Sequence, residues 1–162
     1  MHTSHKTFCI FSIILMSFLN GQTPPDLQWQ QIKTPHFRVI FPKEIPKCGQ
    51  KTANKLENTY ELNSKTLNTS PNILDVYLFN RQVISNGYFT LAPRHSVFYL
   101  TSPQNNDMVG CSNWFNLLSI HEFRHCVQFS ALNRNFTKLA SIFYGEYGRT
   151  LPLFTLPKWF LE

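Results

Sequence analysis

Two histidines four residues apart, His121 and His125, bracket Glu122 and form the pattern HExxH within Leu117-Leu118-Ser119-Ile120-His121-Glu122-Phe123-Arg124-His125. On a helix, residues four apart stand one turn apart on a single face. Two imidazoles so placed can aim nitrogens at one Zn2+ at about 2.0–2.1 Å. Glu122, rotated beside them, is close enough to take a proton from a water that the metal has acidified. The chemistry this spacing points to is zinc-assisted hydrolysis of a carbonyl compound, with His121 and His125 as ligands and Glu122 as general base. The plain alternative is a helix whose histidines are satisfied by ordinary neighbours.

A catalytic zinc site needs three protein ligands and one open position. The extended pattern HExxHxxGxxH fails here, because Gln128 stands at its glycine and Ala131 at its third histidine. A glutamate from a later segment is the remaining choice, and two exist. Glu146 lies between Gly145 and Gly148, in a stretch that reads as a turn. Glu162 follows Pro157-Lys158-Trp159-Phe160-Leu161, where a proline-started helix can present it inward. That difference favours Glu162.

Several elements must position these groups. Leu27 to Ile32 and His36 to Phe41 read as strands, the second by its alternation. Lys47 to Leu67 turns helical, with Ala53, Leu56, Tyr60 and Leu67 on one face. Ile73 to Phe79 is rich in strand formers, and Tyr88 to Leu91 with Ser96 to Leu100 reads as a hairpin around Pro93-Arg94. A long helix over Asn113 to Phe129 carries HExxH, capped by Ser112 or Asn113. Its apolar flanks, Leu117, Leu118, Ile120, Val127 and Phe129, predict a largely buried helix whose polar groups need partners. Arg124 is expected to pair with an acidic neighbour, and His95 to sit exposed at the hairpin tip. A second helix covers Thr137 to Tyr144, and a loop lies between Pro152 and Pro157. The order β-β-α-β-β-β-α-α predicts an α+β domain with a mostly antiparallel sheet.

Hydrophobic residues make up 43% of the 162 and charged residues 15%, enough to bury a core and too few charges for a disordered chain. The net charge of +6 comes from scattered residues without a basic run, so neither a nucleic acid nor a membrane partner is implied. Lys6, an apolar run from Phe8 to Leu19, and the small Gly21 match a signal peptide over residues 1–21. The run is too short for a stable membrane span of about 20 residues. Export to the periplasm or the exterior follows. Cys9 falls in that leader, which leaves Cys48, Cys111 and Cys126 without a CxxC pair. One disulfide among them is compatible with export, and Cys126 reads as a buried thiol.

The stretch IHEFRHCVQF over residues 120–129, followed by LPKWFLE over residues 156–162, resembles the gluzincin metallopeptidases. It is more similar to the peptidase MA-like domains of exported bacterial proteins, which pair a buried HExxH helix with a downstream W-x-x-E. WQQIKTPHFRVIFP over residues 29–42 is similar to the opening strands of that group. The resemblance implies a zincin-like fold, with an edge strand from the Gly87 to Leu100 hairpin packed on the HExxH helix and binding substrate backbone. It implies Zn2+ held by His121, His125 and Glu162, with Glu122 catalytic, and a peptide or protein substrate. The glycine and helix that follow W-x-x-E in that group lie beyond Glu162. Residues 22–162 are therefore expected to be the N-terminal part of such a domain, with its C-terminal subdomain missing. The other function compatible with these residues is a non-catalytic exported domain of the same fold, acting as a binding or structural module.

Overall fold

The computed structural model describes residues 26–101, 114–155 and 157. The expected signal peptide, the candidate cap residues Ser112 and Asn113, Cys111, and the segment carrying Trp159 and Glu162 lie outside the described residues.

Strands β1 (Trp29–Lys33) and β2 (Phe37–Pro42) form an antiparallel hairpin, with Ile32 opposite Val39. The Thr34 hydroxyl and N–H close the turn on the Phe37 carbonyl. Two prolines, Pro42 and Pro46, stop the strand and open helix α1 (Pro46–Thr66), since proline fixes φ and lacks the N–H a helix start does not need. Thr52, Ala53, Leu56, Thr59, Tyr60 and Asn63 recur at spacings of three and four and are buried along one face. Asn68, with φ 47°, reverses the chain after the helix.

Strand β3 (Leu74–Phe79) then pairs parallel with β2, with Val39 opposite Val76. Strands β4 (Gly87–Leu91) and β5 (Arg94–Tyr99) form an antiparallel hairpin. The later strand, β5, pairs parallel with β3, so the sheet order is β1-β2-β3-β5-β4 and β4 is an edge. The molecule is thus α+β, but the expectation of a mostly antiparallel sheet is corrected: two of its pairings are parallel and two antiparallel. The physical reason is the crossover through α1, which returns the chain to the end of the sheet where β2 began. Alternation within each strand carries no record of that direction.

Helix α2 (Trp114–Leu132) follows, then α3 (Asn135–Tyr144), a 3-10 segment (Gly145–Thr150) and the single-turn α4 (Pro152–Thr155) in place of the expected loop. Gly145 ends α3 at φ 60°, a backbone state that costs glycine nothing. Pro157 lies outside any regular element.

Helices α1 and α2 pack side by side on one face of the sheet. Phe37 and Val39 of β2, Val76 and Leu78 of β3, and Phe98 of β5 meet Leu56 and Tyr60 of α1 and Phe123 and Val127 of α2. Each such buried side chain contributes roughly 1.5–3 kcal/mol. The opposite face carries Arg38 and Asp75, directly opposed and ion-paired, with Arg38 Nε donating to Asp75 Oδ1 at 2.7 Å. Helix α3 leans on the 3-10 segment and leaves Phe136, Leu139, Ile142 and Phe143 exposed. Among the described residues, no helix is long and apolar enough to cross a membrane.

Candidate metal centre

Helix α2 buries a stripe, Leu118, Ser119, Glu122, Phe123, Cys126 and Val127, at spacings of one, three and four. His121, Arg124 and Leu117 are exposed on the opposite side, and His125 is half-buried at the boundary. The expectation of a largely buried helix holds for most of its residues and fails at Leu117, His121 and Arg124, which are exposed. Its sequence is apolar enough to be covered all round, but α1 and the sheet cover only one side.

The two histidines converge. Their Nε2 atoms are 3.1 Å apart and their rings stand at 89°. Two nitrogens bound tetrahedrally to one zinc at about 2.0–2.1 Å are about 3.3–3.4 Å apart. A small opening of the pair would accommodate such an ion, and imidazole nitrogens are among the donors zinc favours. Burial, and secondarily the neighbouring His121, lower the pKa of His125, which keeps its imidazole neutral, the form a metal binds. His125 Nδ1 lies 3.2 Å from Gln128 Oε1, three residues along the same helix.

Glu122 is 5% exposed, and burial pushes its carboxyl up to about 7. The backbone N–H of Phe89, on edge strand β4, opposes part of that shift. A carboxyl poised near neutrality is suited to general-base work. The strand is pressed onto the helix at two points. The Phe89 and Phe129 rings stack at 6.0 Å. At Gly87 the backbone comes so close to the helix that an added Cβ would lie 2.9 Å from Leu118 Cδ1 and 3.0 Å from the Val97 carbonyl oxygen. A cleft beside the motif is lined by Trp114, Leu117, Leu118, His121 and Glu122, with Asn63 and Asn86 at its margins.

The other candidates fall elsewhere. Glu146 is exposed on the 3-10 segment, where its Oε2 accepts the Arg94 backbone N–H at 3.0 Å. Among the described residues, no group of three or more histidine, cysteine, aspartate or glutamate side chains comes together, so Glu146 does not join His121 and His125. Glu162 lies outside the described residues. Arg124 donates to the Thr66 hydroxyl at 3.1 Å rather than to the expected acidic neighbour, because the end of α1 is what lies beside it. His95 belongs to β5, not to a loop tip; its ring meets Tyr77 edge-on and its Nδ1 lies 2.9 Å from the Pro93 carbonyl. Arg94 donates to the Asn72 carbonyl and to Cys126 Sγ. Cys126 is a free, buried thiol whose pKa burial raises to about 11, and Cys48 is free and exposed.

Sequence reasoning missed the Phe89 and Gln128 contacts. The first joins residues far apart in the chain and has no local signature. The second had one: a side-chain amide three residues after a histidine on a helix reaches it.

No family model, curated protein or solved structure matches this chain.

Proposed function

We propose that this chain is an exported zinc-dependent hydrolase of gluzincin type that acts on peptide bonds. The observation that carries the proposal is the convergence of His121 and His125 Nε2 at 3.1 Å beside a buried Glu122. His121 and His125 would hold the zinc, with Glu162 as third ligand. Bound there, zinc supplies a Lewis acid that polarises the scissile carbonyl and acidifies water.

The residues of the chain do the rest. The Glu122 carboxylate accepts the proton of the attacking water and can return it to the leaving amine. Burial raises its pKa to about 7 in the metal-free chain, and a cation bound beside it would draw that value down and favour the proton-accepting carboxylate. The Phe89 backbone N–H, on β4, is the donor that lowers the pKa of that carboxyl. Beyond Phe89, β4 has no further strand partner among the described residues. An extended peptide can add to that edge through main-chain hydrogen bonds, which brings its carbonyl past Glu122.

Replacing Glu122 by Gln tests the mechanism. Peptide hydrolysis should be lost while zinc content and fold are kept; an active Glu122→Gln enzyme would rule out the general-base role. A second reading is a non-catalytic module of the same fold. The assembly of two ligand side chains, rather than three, among the described residues favours it. Bound zinc without hydrolysis of any peptide in a wide library would decide for that reading.

A further inference from the structure

We propose that Gln128 is the positioning residue that holds His125 in the tautomer a metal ligand requires. The inference rests on the zinc reading of His121 and His125. A neutral imidazole has one N–H and one lone pair, on different nitrogens. For His125 to present a lone pair beside His121 Nε2, 3.1 Å away, its proton must sit on Nδ1. Gln128 Oε1 lies 3.2 Å from that Nδ1 and, as a carbonyl oxygen, can only accept. The bond therefore selects the Nδ1–H form and leaves Nε2 free for a ligand. It also fixes ring rotation, because acceptor and imidazole share a rigid helix one turn apart. His125 is half-buried, so fewer waters are available to replace the amide. Hydrogen bonds of this kind behind a ligating histidine typically change metal affinity 10–100-fold.

Two measurements on the full chain test the role. Zinc dissociation constants come from competition with a chromophoric chelator, and the His125 tautomer from two-bond nitrogen–proton NMR of the metal-free protein. Gln128→Ala should weaken zinc binding about 10–100-fold and mix the tautomers. Gln128→Glu, which keeps an acceptor at that place, should restore both. Unchanged affinity and tautomer in a folded Gln128→Ala protein would overturn the assignment. A parent that takes up no zinc would overturn the metal reading instead, while the tautomer shift would still report whether Gln128 orders the ring.

Discussion

The backbone N–H of Phe89, on the edge strand, acts on the carboxyl of Glu122, on the helix that carries both histidines, and lowers its pKa against the rise that burial causes. This contact spans the junction between sheet and helix. It couples the position of β4 to the electrostatics of the Glu122 carboxyl, and it leaves the burial of Glu122 only partly compensated.

His121 and His125 are expected to bind metal as a pair. After a chelator wash the full chain should carry about one zinc by elemental analysis and His121→Ala none, because one imidazole and one carboxylate hold zinc too weakly to compete with the chelator. Stoichiometric zinc in His121→Ala would place the ion elsewhere.

The Glu122 carboxyl should make the metal-free protein less stable as pH rises, against the opposite contribution of His125, whose lowered pKa adds stability with rising pH. The Glu122 carboxyl is raised from 4.5 to about 7 in the folded state. Between those values the folded chain keeps a proton that the unfolded chain has released, so protonation favours folding below this window and the advantage is lost through it. The full effect is at most roughly 3 kcal/mol. In denaturant unfolding in chelator from pH 4.5 to 8, the stability of the parent relative to Glu122→Gln should decline with this slope, since His125 contributes equally to both. Parallel profiles would refute a buried, uncompensated carboxyl.

Gly87→Ala should damage the site more than the fold. The new Cβ meets the Val97 carbonyl at 3.0 Å, which cannot retreat without breaking the β4–β5 ladder. Strand β4 must lift, carrying Phe89 away from Glu122. Steady-state kinetics should show hydrolysis reduced about 10–100-fold, for a stability cost of about 1–3 kcal/mol. Wild-type turnover would show that β4 does not position the base.

Phe123→Ala should destabilise the protein by about 3–5 kcal/mol in urea unfolding. Phe123 is 1% exposed, and its ring lies 5.0 Å from that of Phe37 and 5.7 Å from that of Tyr60. It joins α2 to both α1 and the sheet. A loss under 1 kcal/mol would mean that α2 is not anchored there.

Most elements were legible from local pattern. The strand over Leu74–Phe79 and the helix over Pro46–Thr66 fall within a residue or so of their expected ends, because prolines and polar turns bracket them. Helix α2 runs to Leu132, three residues beyond its expected end, since no glycine or proline stops it after Phe129. The hairpin begins at Gly87 and Arg94, earlier than its apolar residues indicate, because ladder hydrogen bonds extend past the side chains that mark it. Arg124 and His95 were misplaced for one reason: their neighbours come from α1 and β3, far away in the chain.

By itself, the sequence determined the spacing of His121, Glu122 and His125, and the helix that turns that spacing into one face. Both follow from a period of 3.6 residues, a property of neighbours along the chain. Only the tertiary structure decided that β3 runs parallel to β2 and to β5, and that Glu122 is buried. Strand direction depends on which end of the sheet a crossover returns to, and burial depends on what packs from elsewhere. Both are set by contacts between segments that local periodicity does not encode.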